Sequence, residues 1–223
     1  MDKDAILSFL FESLKKGTRI EYPFPITIFQ PFTPEVYEEI LENIPDEQAY
    51  TPLMHRDALR PDGSSTRKLF SIQDHNTLEI LPTDKRNFWI KFNQILTSYE
   101  FCDIFIFHMK KEIEKQFNLP INKLTYYPKP RLGRDVSGYK ILPHPDVGRV
   151  FTAQIYLPKD DSQIDLGTSI YIKLDSGKFE KVKTLEYLPN KGFCFVPRID
   201  SYHGVDPIKT IKARHNLHIS CFR

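Results

Sequence analysis

Apolar residues recur every third or fourth position along much of the first 117 residues, then alternate in short runs after Pro120. The first rhythm is that of an amphipathic helix and the second that of a half-buried strand. In residues 4–16, Ile6, Leu7, Leu10, Phe11 and Leu14 fall on helical spacing, and Gly17 follows as a stop. Thr33 and Pro34 are an N-cap and a first-turn proline, opening a helix through about Asn43 that Pro45 closes. Between them ITIFQPF reads as a short strand. The longest helical signal runs from about Lys85 to Phe117. Phe88, Trp89, Phe92, Ile95 and Leu96 form one stripe, and Ile104, Phe105, Phe107, His108, Ile113 and Phe117 a second, with a break near Ser98.

Residues 48–80 lack this order. TPLMHRDALRPDGSSTRKLFSIQ is polar, with Pro61, Gly63 and the serine pair Ser64 and Ser65, and predicts a loop or a lid-like excursion. After Pro120 come KLTYY, GYKIL, RVFTAQIYLP, LGTSIYIKL, KFEKVKTLEYLP, GFCFVP and ARHNLHISCF. So many short strands imply a sandwich or barrel of the jelly-roll kind, one sheet covered by the helices. The expected fold is mostly β with flanking helices. Residues 1–120 form a helical layer with a short strand and the polar excursion, and 121–223 the β core of the same domain.

The 223 residues suffice for one large domain, and 40% hydrophobic with 27% charged residues is ordinary for a globular chain. A net charge of +2 argues against a general nucleic-acid or membrane binder, and no basic stripe interleaved with stacking aromatics appears. The opening MDKDAILSFLFESLKKG is interrupted by Ser8, Glu12 and Ser13, unlike a signal peptide, and FCDIFIFHM is too short to span a bilayer. Cys102, Cys194 and Cys221 form no C-x-x-C pair and suit reduced thiols, so a soluble, cytoplasmic protein is expected.

Two His-x-Asp pairs compete as the start of a metal site: His55-x-Asp57 and His144-x-Asp146. With 7 histidines and 29 acidic residues, about one such pair arises by chance. The first lies in the polar excursion, where nothing holds two ligands rigidly, and is rejected. The second sits between GYKIL and RVFTAQIYLP, with Pro143 and Pro145 flanking the histidine. A residue before proline is pushed into the extended region, and in extended chain residues two apart leave the same face. His203, after GFCFVP, supplies a third ligand. Two imidazoles and a carboxylate on one face of a ferrous ion leave positions open for a bidentate cosubstrate and dioxygen. Zinc is more often closed by a fourth protein ligand or a water.

Eleven residues after His203, Arg214 opens the last strand. A guanidinium there can take a dicarboxylate's far carboxylate in a two-pronged bond. By parity Arg214, Asn216, His218 and Ser220 share one face and His215, Leu217, Ile219 and Cys221 the other. The apolar face should pack under the helices, leaving His218 as a rival third ligand or a group behind the ligands. Gln154 and Tyr156 share a parity on an earlier strand and could reach a cosubstrate. Arg67, Arg131 and Arg134 are candidate contacts for an anionic substrate. The bland alternative is solvated loop charge balanced by Asp57, Asp62 and Asp135.

Taken together, YKILPHPD, RVFTAQIYLP, LGTSIYI, SYHGVDPI and RHNLHISCF resemble the core of the iron(II) and 2-oxoglutarate-dependent oxygenases, prolyl-hydroxylase-like or phytanoyl-hydroxylase-like, over residues 125–223. The resemblance implies a double-stranded β-helix, a cupin-like jelly roll. It implies His144, Asp146 and His203 as iron ligands and Arg214 as the 2-oxoglutarate-binding arginine. Tyr139, five residues before His144, lies where many members place a cosubstrate contact. Gly167 and Thr168 resemble a glycine before an iron-facing strand, where a small residue leaves room for ligand. The implied activity is a dioxygenase, by default a hydroxylase of a small molecule, consuming dioxygen and releasing succinate and carbon dioxide. Two other classes remain open: a non-catalytic jelly-roll binding module, and a cupin-like metal enzyme without a keto acid, which would leave Arg214 without an anionic partner.

Overall fold

The computed structural model describes residues 1–210 and 212–223. Six helices run Lys3–Lys16 (α1), Pro34–Glu42 (α2), His75–Glu79 (α3), Thr83–Leu96 (α4), Tyr99–His108 (α5) and Lys110–Phe117 (α6). Twelve strands run Thr18–Ile20 (β1), Ile26–Phe29 (β2), Thr51–Pro52 (β3), Arg67–Ser71 (β4), Tyr127–Asp135 (β5), Ile141–His144 (β6), Arg149–Tyr156 (β7), Ser169–Lys173 (β8), Phe179–Thr184 (β9), Gly192–Phe195 (β10), His203–Val205 (β11) and Arg214–Phe222 (β12).

The helix starts follow from their caps. The Asp2 carboxylate accepts the N–H groups of Asp4 and Ala5 at the head of α1, and Thr33 Oγ1 accepts that of Val36 at the head of α2. Ile6, Leu10 and Leu14 of α1 are buried, whereas Phe11 faces solvent. The long helical signal is three helices. Ser98 Oγ accepts the Phe101 N–H and so starts α5, and a second interruption falls at Met109. Phe107 is exposed, while Phe101, Cys102, Phe105 and Ile106 carry the buried face of α5, which shifts the expected second stripe.

The strands make an eight-stranded sheet, β1-β2-β10-β7-β12-β5-β4-β3, and a four-stranded sheet, β6-β11-β8-β9, with every pairing antiparallel. This is the double-stranded β-helix with flanking helices. The first 120 residues do more than cover it, because β1 and β2 extend one edge of the large sheet and β3 and β4 the other. The polar excursion is therefore not a plain loop. Arg67–Ser71 pairs residue for residue with β5, and His75–Glu79 is helical. β5 also begins later than KLTYY suggested and runs through Pro128, Pro130 and Gly133, residues that weaken a strand signal.

Parity on the large sheet divides two kinds of wall. Leu132, Phe151, Ala153, Ile155, Cys194, Leu217, Ile219 and Cys221 join the helices in one apolar core. The opposite face of the same strands carries Arg131, Asp135, Thr152, Gln154, Arg214, Asn216, His218 and Ser220 toward the smaller sheet. A cavity of about 490 Å³ opens between the sheets.

Candidate metal centre

His144 ends β6 and His203 begins β11, and the two are Cα partners across that antiparallel pair. His203 is thus a strand residue held in register with His144. Their rings stand 4.5 Å apart between centroids. Asp146 reaches them differently from the expected extended chain. β6 stops at His144, and Asp146 adopts a left-handed backbone, φ 55°, which aspartate tolerates better than most residues. A turn, and not strand parity, brings the carboxylate to the imidazoles.

His144 Nε2 lies 3.4 Å from Asp146 Oδ1, and His203 Nε2 lies 3.5 Å from Asp146 Oδ2. One ligand atom from each of the three residues falls within 4.8 Å of the others, the one such group among the described residues. Each imidazole turns Nδ1 to a backbone carbonyl at 2.9 Å, Leu142 O for His144 and Ser201 O for His203. A carbonyl only accepts, so each Nδ1 carries a proton and each Nε2 faces the carboxylate: a protonated ring donates to Asp146 there, and a ring that has lost that proton offers the Nε2 lone pair a metal requires. Ser201 also points its hydroxyl at two carbonyls, Arg198 O at 2.8 Å and Pro145 O, between His144 and Asp146, at 2.9 Å.

Arg149 donates to Asp146 Oδ2. Burial works against the Asp146 charge, but His144, His203 and Arg149 together hold its carboxyl well below the usual carboxylate range. Asp146 stays anionic. The donor set of two imidazoles and one carboxylate fits a first-row divalent metal, whose ligands sit at about 2.0–2.2 Å.

Arg214 is 1% exposed at the head of β12. Its Nη1 donates to Asp135 Oδ2 at 2.7 Å and its Nε to Leu166 O at 2.6 Å, while the guanidinium lies over the rings of Tyr156 and Tyr187. The Asp135 partner was invisible in sequence, since nothing local links positions 135 and 214. What remains free is Nη2, buried without a partner, as are Thr168 Oγ1 and Asn216 Oδ1. Of these, Arg214 and Thr168 line the cavity, and Nη2 and the Thr168 hydroxyl can each donate to a ligand's oxygen there; Asn216 Oδ1 only accepts and lies outside the lining.

Tyr139, Gln154, Thr168, His218, Arg67 and Arg131 also line the cavity. Tyr139 is buried, and its hydroxyl accepts from Arg67. Burial and the neighbouring arginines hold the His218 imidazole neutral, its pKa well below the ordinary value. Tyr156 does not line the cavity; its hydroxyl accepts the Thr168 N–H at 2.8 Å, so it backs Arg214 and Thr168. Gly167 does not make room for a ligand either. A Cβ there would meet Leu185 O at 1.4 Å, so the glycine is required by strand packing.

Arg134 is not at the site. Three positions from Arg131 on one strand, it faces the opposite way, into a second cavity, and pairs with Glu47 at 2.8 Å. His55 is exposed, and its Nδ1 accepts the Asp57 N–H to cap the turn Arg56–Ala58, so the rejected pair is a local cap. Residues of this turn nevertheless line the cavity mouth.

No protein-family model matches the sequence, and no curated protein does. Solved structures do. A prolyl hydroxylase from Trichoplax adhaerens, solved with a hypoxia inducible factor peptide fragment, matches with a TM-score of 0.52 at 13% identity, over 99% of this chain and 90% of its own. A 2OG-Fe(II) oxygenase-family oxidoreductase from Burkholderia pseudomallei matches with a TM-score of 0.53 at 12% identity, over 100% and 91%. A non-heme alpha-ketoglutarate-dependent epimerase from nogalamycin biosynthesis matches with a TM-score of 0.53 at 12% identity, over 98% and 83%. The fold of these enzymes is the fold of this chain over its whole length. Among the described residues no helix is long and apolar enough to cross a membrane.

Proposed function

We propose that this chain is an Fe(II)- and 2-oxoglutarate-dependent oxygenase that hydroxylates a small-molecule substrate. The observation that carries the reading is the pairing of two features in one cavity: the Nε2, carboxylate, Nε2 triad of His144, Asp146 and His203, and the orphaned Nη2 of Arg214 with the orphaned Thr168 hydroxyl. When bound, ferrous iron with 2-oxoglutarate and dioxygen supplies a strong oxidant, the keto acid leaving as succinate and carbon dioxide.

The chain's own residues position and shield. The Leu142 and Ser201 carbonyls fix both imidazoles with Nε2 toward the ion position. Arg149 and the two imidazoles keep Asp146 ionised. Asp135 and Leu166 O clamp Arg214 so that Nη2 is presented in one direction, at no cost in rearrangement when a carboxylate arrives. Gly133 leaves room beside them, since a Cβ there would meet Asn216 Oδ1 at 2.8 Å. The binding-module alternative explains neither the bare Nε2 pair nor the orphaned Nη2. The keto-acid-free alternative leaves Nη2 without an anion.

The test is anaerobic reconstitution with ferrous iron and 2-oxoglutarate, read by the weak visible charge-transfer band of the chelate and, after admitting air, by succinate. The wild type should give both. His144→Ala should lower iron affinity by at least ~100-fold, beyond the loss typical of an outer-shell change. Arg214→Lys should weaken 2-oxoglutarate by ~10-fold or more. Absence of band and succinate in the wild type would sink the reading, and a band lost in His55→Ala but kept in His144→Ala would move the site.

A further inference from the structure

Among the described residues the cavity holds one guanidinium without a counter-ion. Arg67 and Arg214 share Asp135, at 3.4 and 2.7 Å, and Arg149 has Asp146. Arg131, on the same wall, has no carboxylate within ion-pair distance among the described residues, and its Nε is buried with no partner. Its neighbour across the ladder is His218, which is neutral and offers no charge. Burial, with Arg67 and Arg149 nearby, pulls the Arg131 pKa down to about 10. Arg131 is half-buried, and a partly desolvated guanidinium kept without a counter-ion in a cavity wall is a candidate seat for an anion.

Charge across the whole cavity points the same way. Arg56, Arg67, Arg131, Arg149 and Arg214 line it, against Asp57 and Asp146 in the lining and Asp135 behind. Two positive charges are in excess. A ferrous dication and a 2-oxoglutarate dianion would cancel each other and leave that excess in place, so it belongs to a third occupant. Arg131 is also poorly placed for the cosubstrate carboxylate. It sits opposite His218, four positions along β12 from Arg214, about 13 Å of strand.

We infer that Arg131 is the seat of an oxyanion group, a carboxylate or phosphate ester, on the primary substrate, with Arg149 and Arg67 shaping the field around it. This rests on reading the site as an oxygenase only for the identity of the other occupants. The anion seat itself needs neither metal nor keto acid.

The experiment titrates inorganic phosphate and acetate, by calorimetry at low ionic strength, into the protein without metal and into the protein loaded with redox-silent zinc and 2-oxoglutarate. Wild type, Arg131→Met and Arg131→Lys are compared, and each is melted in anion-free buffer. The wild type should bind one of the two anions, phosphate marking a phosphate ester and acetate a carboxylate. Arg131→Met should weaken it by at least ~10-fold, Arg131→Lys by less, and both should keep 2-oxoglutarate affinity within about two-fold. Arg131→Met should also melt at or above the wild-type temperature, because it removes a half-buried charge without a counter-ion and keeps the apolar stem. A structural role would lower it. The inference is overturned if neither anion binds, if binding survives Arg131→Met, if 2-oxoglutarate weakens as much as the anion, or if Arg131→Met melts lower or fails to fold. A wild type that binds anion through Arg131 but shows no iron and 2-oxoglutarate band would leave the anion seat standing and overturn the oxygenase reading alone.

Discussion

The two faces of the large sheet are built from alternate residues of the same strands, and both are buried, yet they have opposite chemistry. Leu217, Ile219 and Cys221 point from β12 into the helices, while Arg214, Asn216, His218 and Ser220 point into the barrel. On the helix side the apolar atoms meet one another, as in the stacked rings of Phe105 and Phe151 at 5.0 Å. Buried polar atoms without partners occur on both sides, Tyr50 Oη, Arg134 Nη1 and His215 Nδ1 on the helix side, but on the barrel side those of Arg131, Arg214 and Thr168 gather around one cavity. Stability is concentrated on one face and ligand chemistry on the other, a backbone's thickness apart.

Three substitutions probe that division, in descending size of effect. Phe151→Ala opens a cavity on the helix face and should cost about 3–5 kcal/mol, lowering Tm by roughly 6–20 °C, with iron affinity of the folded protein unchanged. Thermal melts beside an iron titration at low temperature check it, and a parallel loss of iron affinity would break the division. His215 tests the helix face with charge. Burial, and then Arg134, pushes its pKa down to about 4. Above about pH 6.5 it is neutral in both states, but below that the unfolded chain takes a proton that the folded chain refuses, so stability falls with acid down to about pH 4. His215→Leu should remove up to about 3 kcal/mol of that loss, visible as a flatter denaturation midpoint against pH. An unchanged slope would place the acid sensitivity elsewhere. The smallest effect is expected of Arg134→Gln, which loses a partly exposed pair with Glu47 worth about 0.2–1 kcal/mol and should leave metal, cosubstrate and anion binding within about two-fold. A marked change in any of these would mean that the faces communicate.

Much of this was legible in the chain because it rests on periodicity and local chemistry. The helices that Asp2 and Thr33 cap and the split parity of β12 follow from residues within a few positions of one another, whereas the preference for His144 over His55 drew on its flanking prolines together with the distant His203 and Arg214. What was not legible depends on chain segments meeting. Arg67–Ser71 is a strand because β5 is there to pair with it, although its own pattern is too charged to announce one. Asp135 faces Arg214 across a ladder between distant segments. The misassignment of Arg134 was avoidable, since three positions on a strand always reverse the face.

Ser201 ties the ligands together. Its hydroxyl reaches the carbonyl of Pro145, between His144 and Asp146, while its own carbonyl orients His203. The three donors are therefore clasped through one residue as well as through the β6–β11 ladder. The spacing of His144, Asp146 and His203 is thus held by two independent ties, one of ladder hydrogen bonds and one through a single residue.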